Sequence, residues 1–197
     1  MFCLIALFLA DYGATVISAH QITLSISSLI FMMPLSLCLA VTIRVGQLNG
    51  AKRFADAQRV GFLGLRIAVI IACFSSMTLY LLSDGIASLF SQDAELIVIA
   101  STLLSYAALY QFSDALQLTA NGALRGYKDT RIPLLIAFIA YWIVGLPSGY
   151  VIAEYLGMGA VGYWLGILIG LSFAAVLLIK RLYKLSNEVL VNPPNFS

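Results

Sequence analysis

The sequence predicts an all-α polytopic membrane protein, and three observations lead there. Only 10% of the 197 residues are charged while 61% are hydrophobic, with a mean hydropathy of +0.98. Soluble domains carry about 25% charged residues, enough to cover a water-facing surface. The apolar residues gather into runs of about 20, the length a helix needs to cross the hydrocarbon core. These runs lack the in–out alternation of barrel strands, so helices are what remains to satisfy their backbone in lipid. Five complete spans result, at 21–43, 60–83, 96–124, 132–153 and 159–179, with a partial one before them and a tail, 180–197, after them.

The opening stretch "MFCLIALFLA" (1–10) is too short to span before Asp11. It lacks the basic flank and the small-residue cleavage site of a signal peptide. It reads as the tail of a truncated transmembrane helix, so that 11–197 is the C-terminal helical bundle of something longer. In the first complete span Gln21, Ser25 and Ser28 lie at i, i+4 and i+7, a polar face that Met32 continues. His20 stands at the outer boundary and reads as a hydrogen-bonded interface residue. Pro34 removes a backbone donor and is expected to kink this helix, which makes it a candidate hinge. The polar stretch "GQLNGAKRFADAQRVG" (46–61) reads as a short helix along the membrane surface.

The second span carries Arg66 just inside its inner end, close enough to snorkel to the interface. The third contains Asp114, eleven residues from Arg125 and so about 16 Å below the basic inner end. An ionised aspartate near the centre of a span costs about 2.5–3.5 kcal/mol. That cost falls if the group is protonated, binds a cation or faces water. Tyr106, Tyr110, Asp114, Gln117 and Asn121 recur at spacings of four, four, three and four, which stacks them on one helix face. Their hydroxyls and amides could share a cation or hydrate a cavity. The plainer alternative is a structural hydrogen-bond network, at about 0.6 kcal/mol per bond. The fourth span holds "GLPSG" (145–149), expected to break or bend the helix at Pro147, a second candidate hinge. The fifth holds Gly162, Gly166, Gly170 and Ala174, a small-residue face for close helix packing.

All 11 Lys and Arg fall on one side: Arg44, Lys52, Arg53, Arg59, Arg66, Arg125, Lys128, Arg131, Lys180, Arg181 and Lys184. The other side carries Asp11, Asp84, Asp93, Glu95 and Glu154. The bias of basic residues makes the first side cytoplasmic, C-terminus included. Basic residues distributed this way serve topology, so nucleic acid is not implied. Cys3, Cys38 and Cys73 have no metal-ligand or paired spacing and read as small buried hydrophobes. There is no Ser/His/Asp pattern, phosphate loop or metal cluster in the sequence, so neither an enzyme nor a cofactor is expected.

Together "SAHQI" (18–22), "MPLSLCLAVTIRVGQLNGA" (33–51), "YQFSDALQ" (110–117) and "GALRGYKDTRIP" (122–133) resemble the multidrug and toxic compound extrusion (MATE) family, its NorM-like branch in particular. The resemblance covers nearly the whole chain. It implies one six-helix half of a twelve-helix transporter, the C-terminal half, with its N-terminal half missing. It also implies cation-driven export of amphipathic or cationic drugs and dyes from the bacterial inner membrane by alternating access. By the same resemblance Asp114 and Tyr110 fall where the coupling Na⁺ or H⁺ binds, and Gln21 and Asp93 where cationic substrate is held near the outer face. Phe31 stands where some relatives have a tyrosine that assists the cation, a departure that bears on the preferred ion. Two other readings are a flippase for lipid-linked sugars, which would want a basic cleft, and a truncated structural fragment that does not transport alone.

Overall fold

The computed structural model describes residues 13–90 and 92–192. They form five helices: α1 (Ala14–Gly50), α2 (Phe54–Phe90), α3 (Ala94–Gly126), α4 (Arg131–Tyr155) and α5 (Gly159–Val191). Each is long and apolar enough to cross a membrane, and the described residues contain no strand. The 1–10 segment, Asp11, Cys3 and the last five residues of the tail lie outside the described residues.

Every predicted span is present, but most overrun their predicted limits. A helix of 37 residues such as α1 is about 55 Å long, against a hydrocarbon core of about 30 Å. Hydropathy marks the part that lipid touches, while the helix continues into the polar layers. Two expectations change accordingly. The 46–61 stretch is not a separate surface helix, because α1 and α2 run into it from both sides and leave only residues 51–53 between them. And the tail from 180 is helical as far as Val191, continuing α5 with Leu182 and Ser186 buried.

With the basic end of the bundle labelled inner after the expected orientation, the two inner turns share one design. Lys52 N–H bonds to Asn49 O and Arg53 N–H to Leu48 O, while Lys128 N–H bonds to Arg125 O and Asp129 N–H to Leu124 O. These are Schellman turns, and each puts a lysine in the left-handed region, φ 58° at Lys52 and 64° at Lys128. The lysine charge there complements the carbonyl end of the helix it closes. At the outer side, Asp93 caps α3 by accepting the Glu95 N–H at 3.0 Å.

Packing places α3 in the middle, against α1, α2 and α5, while α4 packs chiefly on α5. The α1–α3 crossing is tight because a Cβ at Gly126 would come within 2.7 Å of Val45 Cβ, and Thr42 donates to Gly122 O across it at 2.9 Å. The inner core gathers Val45, Leu124, Leu178 and Leu182; the outer core gathers Leu103, Tyr110, Trp164 and Ile167. The inner end is further tied by Arg181, which donates to Asp129 at 2.7 Å and so joins α5 to the α3–α4 turn. On the opposite flank α2 exposes Ile70, Phe74, Met77 and Leu81, an apolar face suited to lipid. Cys73 is exposed with them, contrary to expectation, whereas Cys38 is buried.

Neither proline interrupts its helix. Pro34 is buried within an α1 that continues past it. Around Pro147, α4 also remains continuous rather than broken. Wider π turns at Ile139–Gly145 and Val151–Tyr155 flank an ordinary turn at Leu146–Tyr150. Proline cannot supply an N–H to the carbonyl four residues back, and an i→i+5 turn accommodates that loss without ending the helix. The glycine face of α5 meets this segment directly: a Cβ at Gly166 would lie 2.4 Å from Gly149 Cα.

Candidate ion and substrate cavity

Between α1, α3, α4 and α5 lies a cavity of about 650 Å³, a size that suits a drug-like molecule. Leu24, Ser27, Ser28 and Phe31 line it from α1, and Ala137 and Tyr141 from α4. Tyr110, Asp114, Gln117, Leu118 and Asn121 line it from α3, and Ile167 and Leu171 close it from α5. Its walls are mostly apolar, with polar groups concentrated on the α3 face.

Asp114 is the sole charged residue of that lining. Among the described residues its carboxylate has no hydrogen-bond or ion-pair partner. The phenols of Tyr110 and Tyr141 both lie close enough to feel its charge. Gln117 donates its amide N–H to the Tyr141 hydroxyl, and the buried Gln117 Oε1 has no partner among the described residues. Tyr110 is held from behind by stacking on Trp164, ring centroids 5.9 Å apart, and His20 meets the same indole edge-on at 5.6 Å. The cavity thus joins one carboxylate to several neutral oxygens: two phenols, two amides and the Ser27 and Ser28 hydroxyls. Hard oxygen donors of this kind suit a hard cation, and one carboxylate neutralises one positive charge. The described residues hold no group of three or more His, Cys, Asp or Glu that could take a multivalent metal.

Of the residues singled out in the sequence, Asp114, Tyr110, Gln117, Asn121 and Phe31 come together on this lining. Tyr106 does not; it is half-buried against the outer core. Gln21 is exposed on α1, and Asp93 sits at the start of α3 as its cap, both apart from the lining. Pro34 and Pro147 are likewise off the cavity wall. His20 is not at a wet boundary: it is buried, and neither ring nitrogen has a partner among the described residues. Ser28, from the polar face read on α1, joins the lining with Ser27 beside it, whereas Tyr141, Ile167 and Leu171 escaped the sequence reading because α4 and α5 carry no mid-span charge to draw attention to one face.

A family model described as MatE matches residues 1–151. The chain belongs to the MatE family. As a MatE protein of five described apolar helices it is a multi-pass membrane protein. The protein named "Probable multidrug resistance protein NorM" of Bacillus anthracis is 42% identical over 188 residues, which cover 95% of this chain and 42% of that protein. "Multidrug resistance protein MdtK" of Photorhabdus laumondii subsp. laumondii is 42% identical over 186 residues, covering 92% of this chain and 41% of that one. The MatE chain therefore spans less than half the length of the curated relatives it matches. Among solved structures, an inward-facing multidrug resistance MATE family transporter of the MOP superfamily superposes with a TM-score of 0.85 at 15% identity, over 98% of this chain and 46% of that one. An outward-facing one gives 0.80 at 16% identity, over 97% and 44%. These two likenesses speak for the fold of this MatE bundle alone.

Proposed function

We propose that the chain is the C-terminal half of a cation-coupled multidrug antiporter of the bacterial inner membrane, with its C-terminus cytoplasmic. The complete protein would export amphipathic, cationic drugs and dyes in exchange for Na⁺ or H⁺ by alternating access between two halves. The observation that carries this reading is Asp114, an unpartnered carboxylate on the wall of a drug-sized, otherwise uncharged cavity. Its relatives' names point the same way.

The coupling follows from the charge count. One carboxylate can compensate one positive charge at a time, whether coupling ion or cationic drug. Occupancy by one lowers affinity for the other, and such reciprocal coupling lets the ion's entry drive the drug's exit. An elementary charge crossing 100 mV releases about 2.3 kcal/mol, enough for a gradient of about 50-fold in a neutral substrate. Tyr110, Tyr141, Gln117 and Asn121 supply the neutral oxygens that would complete a cation's shell. Phe31 contributes only its ring. Gln21 and Asp93, away from the cavity, would meet substrate only in the wider cleft shared with the other half, and Pro34 and Pro147 would serve as hinges there. The flippase alternative loses ground because no basic residue lines the cavity.

The test is dye efflux from cells expressing the complete reading frame, wild type against Asp114→Asn, with Na⁺ and pH varied separately. The asparagine keeps shape and eases insertion, so protein level is expected to hold while coupled efflux is lost. Efflux equal to wild type would leave Asp114 a structural residue and defeat the proposal.

A further inference from the structure

The inner end of α2 carries two arginines that transport leaves unused. Arg59 and Arg66 stand seven residues apart, two helical turns on one face. With Gln58, Phe62 and Leu63 they line a groove of about 400 Å³. All five belong to α2, and two of them also touch α5: Gln58 donates to Ser186 Oγ at 3.1 Å and to Asn187 Oδ1 at 2.8 Å, and the Phe62 ring meets Tyr183 edge-on at 6.3 Å. The two guanidinium-bearing positions are about 10 Å apart along the helix axis.

Charge at this groove is not compensated from within. Arg66 has no hydrogen bond or ion pair among the described residues. Arg59 lies 3.8 Å from Asp56, but that carboxylate is already held by Arg53 at 2.7 Å. On the α5 side, Lys184 faces Glu188 at 3.8 Å, a pair that cancels itself. Deeper in the membrane the same face of α2 continues as Ile70, Phe74 and Met77, each more than half exposed. A guanidinium inside the apolar run of a helix is costly unless it reaches a headgroup.

We propose that this groove is a binding site for an anionic phospholipid. Its phosphate sits between Arg59 and Arg66, beside Leu63, and one acyl chain lies along Ile70, Phe74 and Met77. Guanidinium groups bind phosphate oxygens in a planar, two-pronged fashion, and basic pockets between helices on the cytoplasmic side match anionic headgroups. The apolar row directly beneath selects a lipid over a soluble phosphate, because only a lipid carries both parts.

The test is phosphatidylglycerol binding to protein purified from the complete reading frame in neutral detergent, followed by native mass spectrometry. Arg59→Gln/Arg66→Gln is expected to weaken binding about 25-fold, equivalent to about 1.9 kcal/mol. Arg66→Gln alone, expected at about fivefold, carries the same test if the double variant does not purify folded. Arg44→Gln/Lys52→Gln, which removes equal charge from the same end of the bundle, is expected to change it less than twofold. Phosphatidylcholine is expected to bind at least tenfold more weakly than phosphatidylglycerol, and millimolar inorganic phosphate not to compete. Equal losses in the two double variants would reduce the site to diffuse attraction and overturn the proposal. So would full retention of binding in Arg59→Gln/Arg66→Gln, or displacement of the lipid by inorganic phosphate. None of these outcomes depends on whether Asp114 couples transport.

Discussion

Replacing Gly166 by alanine puts a single methyl into the α4–α5 contact, and the structure sets its cost. The new Cβ would stand 2.4 Å from Gly149 Cα, 2.6 Å from Gly149 N and 2.7 Å from Gly145 O, where ordinary contact begins at 3.4 Å. All three obstacles are backbone, so none can rotate aside, and the helices must part by about 1 Å along a seam they share. Overpacking of this sort costs about 1–3 kcal/mol, and an all-backbone clash belongs at about 2 kcal/mol or above. For a chain of this length that corresponds to a fall in Tm of about 4–8 °C. The matched control is Gly85→Ala on α2, where an added Cβ meets nothing within 4 Å. Thermal unfolding in detergent, read by tryptophan fluorescence, reports on both helices of the seam, since α5 carries the buried Trp164 and α4 the half-exposed Trp142. If Gly166→Ala and Gly85→Ala melt within 1 °C of each other, on the order of the smallest shift that Tm resolves, the close-packing argument is refuted.

Two further outcomes are expected. Tyr141→Phe removes the acceptor of the Gln117 amide and one cavity oxygen, so the apparent affinity for the coupling ion should fall about fivefold, the worth of one polar contact, with stability changed by about 0.6 kcal/mol or less. Ion-dependence curves of efflux, with melting as the companion measurement, check this; an unchanged curve removes Tyr141 from the site. At the inner end, outside the spans, burial pushes the Tyr127 phenol up to about 12. Its contribution to stability is therefore complete below about pH 10, the unfolded value, and is lost as pH rises toward 12. Tyr127→Phe should flatten that decline in alkaline melts, and parallel curves for the two proteins would contradict it.

The parts of the fold legible in the sequence are those that one helix shows by itself. Five apolar runs announce five helices, and the 3.6-residue repeat brings Tyr110, Asp114, Gln117 and Asn121 to one face before any neighbour is known. The glycines of α5 are legible for the same reason. Tyr106 obeys the same repeat yet leaves the cavity, because two turns above Asp114 the outer core closes over it. What a single helix cannot show is its partner. Tyr141 faces Gln117 only because α4 docks on the glycine seam of α5, and the π turns that shape α4 shift its residues off a simple repeat. Helix ends were misread for a different reason. The 46–61 turn is polar in composition, and nothing in polarity distinguishes a surface helix from two long helices meeting at a lysine in the left-handed region.

The cavity's charge and its width are set by different parts of the chain. One α3 residue, Asp114, supplies the charge. The distance from that charge to the opposite wall depends on how deeply α4 settles against α5, and there backbone meets backbone through hydrogen atoms alone. Any side chain larger than hydrogen at Gly162 or Gly166 moves Ala137 and Tyr141 relative to Asp114 without altering a single polar group. Cavity width can therefore change while the cavity's charge stays fixed, and the glycines that govern that width do not line the cavity.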